Sequence, residues 1–139
     1  MKKTCISLFL ALLMMWATIV PTYATDSARD IMPLLENTND CSVYFAITDT
    51  GFAEYSVSYY GQETCTGATV SVKIQKRTLL VFWTTVYEWE GTSTEQNDYI
   101  YGSTQLEDTG TYRAVFTVEV HGSNGVTDVI EDKIQKEYS

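Results

Sequence analysis

The feature that most constrains this chain is strict alternation of apolar and polar residues, repeated in short runs. Ala68, Val70, Val72 and Ile74 interleave with Thr69, Ser71, Lys73 and Gln75, and Tyr112, Ala114, Phe116, Val118 and Val120 interleave with Arg113, Thr117 and Glu119. Side chains point to opposite faces of a strand, so such runs bury one face and wet the other, whereas a helix of period 3.6 cannot separate them. Val43, Phe45 and Ile47, then Ala53, Tyr55, Val57 and Tyr59, repeat the pattern on either side of Asp49-Thr50-Gly51 and predict a hairpin. Residues 79 to 90 (LLVFWTTVYEWE) are apolar on both faces; their β-branched and aromatic content favours a strand, with a bulge inside it. A shorter strand from Asp98 to Tyr101 and a last one from Val126 to Lys136, after the Asn124-Gly125 turn, bring the total to about seven. The class predicted is all-β, an antiparallel sandwich.

The beginning of the chain has another character. Lys2 and Lys3 precede an apolar run from Ile6 to Val20, then Pro21 and the small-residue site Thr22-Tyr23-Ala24. This is the layout of a secretory signal peptide cleaved near Ala24. The run is shorter than the roughly 20 apolar residues of a membrane span, and no later stretch is long enough for one. Cys5 lies before the run, where it serves no lipid attachment and leaves with the signal. The expected organisation is therefore a signal peptide over 1–24, a flexible lead over 25–40 containing Pro33, and one domain over 41–139. The mature chain is expected outside the cell. Loss of Lys2 and Lys3 takes the formal charge of −9 two units lower. Such acidity argues against nucleic acid and anionic membrane surfaces as partners, and fits solubility or a cationic partner.

Of three cysteines, Cys41 and Cys65 remain after cleavage. An even pair in an exported domain predicts a disulfide, and a closed loop of about 25 residues stabilises by about 3–4 kcal/mol in the chain-entropy model. Two free thiols are the alternative. With His121 as the sole histidine, the pair makes no zinc set.

Asp108-Thr109-Gly110-Thr111-Tyr112 is a tight turn feeding a core strand. It resembles the tyrosine corner of the immunoglobulin fold, in which the ring packs inside and the hydroxyl bonds backbone just upstream. The resemblance implies structural roles for Asp108, Gly110 and Tyr112 and makes Trp83 the buried strand-C tryptophan. It also places Val72 and Ala114 where the two bridging cysteines of an antibody-like domain stand. At a finer level the chain is similar to small secreted immunoglobulin-like proteins of Gram-positive bacteria, mostly uncharacterised. The residues that carry this are Ile74-Gln75-Lys76-Arg77, the run from Trp83 to Trp89, and Gly110-Thr111-Tyr112-Arg113. That likeness implies no activity.

Groups able to do chemistry are few. Glu88 and Glu90 flank Trp89 on one strand face, but a glycosidase pair must straddle a sugar in a cleft that a small sandwich rarely offers. Asp128, Glu131 and Asp132, expected near Asp108, fall short of a calcium ligand set and lack an Asp-x-Asp-x-Asp-Gly loop. A Ser-His-Asp triad would depend on His121, and no Gly-x-Ser-x-Gly elbow is present. The reading is a chain with no catalytic residues, metal or cofactor.

Aromatics are the best binding material, with ten tyrosines and three tryptophans. Trp89, Tyr59, Tyr60, Tyr99 and Tyr101 are the candidate binding surface, because such rings present a rigid apolar face with a polar edge. The expected function is a secreted, monomeric, non-catalytic module that binds an extracellular protein or glycan, or associates with the cell envelope. A carbohydrate-binding module is the first alternative and a small secreted hydrolase the second.

Overall fold

In the computed structural model, residues 35–139 are described, within the compact unit Pro33–Ser139. The expected signal peptide, and the expected lead as far as residue 34, lie outside the described residues. Seven strands follow in order: β1 (Thr38–Ile47), β2 (Phe52–Gly61), β3 (Cys65–Thr78), β4 (Phe82–Ser93), β5 (Asn97–Gln105), β6 (Gly110–Gly122) and β7 (Thr127–Tyr138). All neighbours pair antiparallel. One sheet has the order β1-β2-β5 and the other β4-β3-β6-β7.

The alternating runs decide how the sheets face each other. Ala53, Tyr55, Val57 and Tyr59 of β2 are buried against Val70, Val72 and Ile74 of β3 and Ala114, Phe116, Val118 and Val120 of β6. β2, β3 and β6 are the strands with a neighbour on each side, so their inward residues lose water most completely; each buried valine or isoleucine stabilises by about 1.5–3 kcal/mol.

The run that lacks alternation, residues 79–90, supplies an edge strand. β4 is the edge beside β3, and its register slips between Ile74 and Gln75, leaving Val86 as the bulged residue. The strand expected from residue 79 begins only at Phe82, because residues 79–81 form the β3–β4 turn.

Three expectations need correction. β1 begins at Thr38, inside the stretch taken as a lead, and its start is tied to β7: the backbone amides of Glu36 and Asn37 donate to the Asp128 carboxylate at 3.0 and 2.8 Å, and the Thr38 hydroxyl donates to it at 2.8 Å. The predicted disulfide does not form, and Cys41 and Cys65 are free thiols. The reason is topological. Cys41 sits on β1, on one flank of β2, while the Cys65 thiol points past Gly61 to the carbonyl of Gln96 before β5, on the other flank.

The third concerns the antibody-like bridge. Val72 and Ala114 lie on adjacent strands of one sheet, with Ile74 paired to Ala114 and Val72 to Phe116. They are not an inter-sheet pair. Ala114 is fully buried in the same core as the large side chains of Tyr55, Val57 and Tyr59 from the other sheet.

Candidate functional site: a tyrosine face on the three-stranded sheet

Alternation that buries Tyr55, Val57 and Tyr59 turns the residues between them outward, and β1 and β5 present their own outward residues beside them. The register aligns these into rows across the sheet. Tyr44, Ser56 and Tyr101 form one row, Ser42, Ser58 and Tyr99 the next, and Asp40, Tyr60 and Asn97 the third. Tyr44, Tyr60, Tyr99 and Tyr101 are all more than half exposed, while Ser56, between two rings, keeps only 8% of its surface. With strands about 4.8 Å apart, the backbones under Tyr44 and Tyr101 stand roughly 10 Å from each other, and Tyr99 is about 7 Å along from Tyr101.

The face is uncharged at its centre. Glu54 borders it at one end and Asp40 at the other. No lysine or arginine occurs on β1, β2 or β5, so its electrostatic character is acidic at the rim.

Of the five aromatics proposed from sequence, Tyr60, Tyr99 and Tyr101 meet on this face. Tyr59 and Trp89 do not. Tyr59 is wholly buried, and its hydroxyl donates to the carbonyl of Glu95 at 2.8 Å. Trp89 faces inward from β4, with its ring centroid 6.3 Å from that of Tyr55 and its indole lying over Gly91, where an added Cβ would come within 2.5 Å of it. Tyr44 completes the face and was missed. Its outward position was legible from the alternation of Val43 and Phe45; its place opposite Tyr101 was not, because β5 joins β2 only after two intervening strands.

Trp83 is likewise displaced from its expected place in the core. It is paired with Arg77 on the outer face of the four-stranded sheet, where the Arg113 guanidinium lies 4.2 Å from the ring centroid. The immunoglobulin-type tryptophan belongs to the third strand, and here the third strand is β3, which has none.

Other candidates resolve into structural roles. Glu88 and Glu90 are exposed on the outer face of β4, and Glu88 pairs with Lys73 at 3.2 Å. His121 bridges the hydroxyls of Thr69 and Thr127 at 3.0 and 3.3 Å. Asp128 is buried and committed to Glu36, Asn37 and Thr38, while Asp108 lies by the opposite end of β6, so the supposed acidic cluster does not assemble. Among the described residues no group of three or more His, Cys, Asp or Glu is placed to hold a metal. A cleft of about 240 Å³ opens between β4 and the β5–β6 loop, lined by Lys76, Tyr87, Leu106, Asp108 and Tyr112. Lys76 and Asp108 pair across it at 3.2 Å, and Glu107 also lines it.

A three-stranded β1-β2-β5 sheet packed on β4-β3-β6-β7, with a tyrosine corner leading into β6, defines an immunoglobulin-like β-sandwich. No family model matches the chain, and no curated protein does. Among solved structures it is similar to the CARDB domain of the PF1109 protein from Pyrococcus furiosus, solved in complex with di-metal ions. The identity is 19%, the TM-score 0.40, and the match covers 76% of this chain and 95% of that one.

Proposed function

We propose that this protein is an exported, non-catalytic binding module that holds an extracellular protein partner against the tyrosine–serine face of its three-stranded sheet. The observation that carries this is the row Tyr44, Ser56, Tyr101 with Tyr99 and Tyr60 beside it. Tyrosine with serine is the composition that gives protein interfaces large, rigid contact at low entropic cost, with adaptable hydrogen bonding between the rings. The surface is one face of a sheet, and acids at two edges suit a partner with lysine or arginine at its rim.

A glycan ligand is the second reading, favoured by exposed rings with no cation among them. One experiment separates the two. The protein is incubated with envelope preparations of its own host, untreated, protease-treated or periodate-treated, and binding is compared with that of Tyr44→Ala/Tyr101→Ala. Loss of binding in the variant and after protease supports the protein reading; loss only after periodate moves the assignment to a glycan. Equal binding by wild type and variant, or no binding by wild type, overturns the role of this face.

A further inference from the structure

The most exposed apolar side chains of the described domain sit together at the tip of the β3–β4 hairpin. Leu79 and Leu80 are each 84% exposed, Val81 71% and Phe82 62%. This tip projects: the last pair between β3 and β6 is Lys76 with Tyr112, after which Arg77–Trp83 and Thr78–Phe82 pair only within the hairpin. Leu79 and Leu80 also take positive φ values of 47° and 69°, in positions that glycine or asparagine ordinarily fill in tight hairpins. Bulky residues held in a left-handed conformation at full exposure satisfy neither local propensity nor burial, and such conflicts concentrate at functional positions.

Immediately behind the apolar tip come Trp83 and two arginines. Arg113 stacks on Trp83, and Arg77 donates to the Thr111 hydroxyl at 3.1 Å. Among the described residues the ion pairs are Lys73–Glu88 and Lys76–Asp108, so neither arginine has a carboxylate partner.

We propose that this hairpin inserts into the surface of a phospholipid bilayer. Leu79, Leu80, Val81 and Phe82 enter the acyl region, Trp83 lies at the interface, and Arg77 and Arg113 meet the lipid phosphates. An apolar tip backed by a single level that holds the Trp83 indole and both guanidinium groups matches the layering of acyl chains beneath the interfacial zone of a membrane. Size and shape favour the same occupant. A four-residue convex tip is far from the roughly 20–30 residues a side of a stable protein interface. Nor does the cleft of about 240 Å³ on a second copy suit it, since Lys76, Glu107 and Asp108 line that cleft. Fluid lipid needs no matching pocket. The acidity of the chain opposes adsorption to anionic surfaces, so the contact rests on apolar insertion and is probed on zwitterionic lipid.

The test uses residues 33–139, which carry the whole described core. Wild type and Leu79→Asn/Leu80→Gly are titrated with phosphatidylcholine vesicles, following co-sedimentation and tryptophan emission. The variant supplies turn residues compatible with positive φ, so it keeps its fold, which circular dichroism verifies. Wild type is expected to sediment with the vesicles and shift its emission to the blue, and the variant to partition at least tenfold more weakly. A wild type that stays in the supernatant at millimolar lipid overturns the proposal, as does a variant that binds equally well. Concentration-dependent dimerisation lost in the variant, without lipid binding, overturns it in favour of self-association.

Discussion

The hydroxyl of Tyr112 donates to the backbone carbonyl of Asp108 at 2.6 Å, across the turn that launches β6 into the core. The ring is 2% exposed, and Gly110 between the two residues has a φ of 144° that a side chain rarely adopts. Tyr112→Phe keeps the packing and removes the bond. It should lower the stability of the domain by about 1 kcal/mol, seen as a reduced denaturant midpoint at unchanged slope. Binding at the tyrosine face, on the other sheet, should not change.

Asp128 anchors the start of β1. Burial disfavours its ionised form, but the amides of Glu36 and Asn37 and the Thr38 hydroxyl outweigh this and hold the carboxyl below its ordinary 3.8. A lowered pKa stabilises the fold at neutral pH, and that stability is lost as pH falls below 3.8 through the folded value. Asp128→Ala should cost on the order of 2–3 kcal/mol at pH 7, because two amides and a hydroxyl lose a charged acceptor. Hydrogen exchange at the amides of Asn37 and Thr38 should rise in the variant.

Free thiols make a direct claim on mass and on pH. The domain should show no 2 Da change on reduction and should take up two alkylating groups once unfolded. Burial, aided by the negative charges of Asp40 and Asp132, pushes the Cys41 thiol up to about 11 from an ordinary 9.0. The fold therefore prefers the neutral thiol, and the stability this supplies is complete below pH 9 and lost as pH rises toward 11. Cys41→Ala should flatten the alkaline arm of the stability profile over that window.

The two tryptophans should differ in the opposite sense to that expected from sequence. Trp89→Ala removes an indole packed on Tyr55 and over Gly91, and should cost about 2–3 kcal/mol. Trp83→Ala loses a stacked guanidinium on an outer face, worth about 1 kcal/mol or less. Thermal or denaturant unfolding of the two variants side by side decides the order.

Leu79→Asn/Leu80→Gly should stabilise the domain by about 1 kcal/mol, since a left-handed backbone costs an ordinary side chain roughly 1–2 kcal/mol and these residues tolerate it. A gain in melting temperature together with loss of vesicle binding would show a tip kept for contact and against stability.

Period-2 alternation determined the inward sets of β2, β3 and β6; with turn residues and β-branched content it also gave the hairpin of β1 with β2 and the strand total, and with Asp108-x-Gly110-x-Tyr112 the immunoglobulin-like class. These are local properties: which face a residue takes follows from its neighbours two positions away. Strand order, and everything that depends on it, was decided only by the tertiary structure. Pairing of β5 with β2 set Tyr101 opposite Tyr44 and made a face from residues 57 positions apart in sequence. The same pairing put β2 between Cys41 and Cys65 and left them unbridged. A doubly apolar run such as residues 79–90 gave no inward face to read, so the exposure of Leu79 and Leu80, and the exchange of roles between Trp83 and Trp89, appeared only once the β4 bulge and the β3–β4 turn had fixed which way each side chain points.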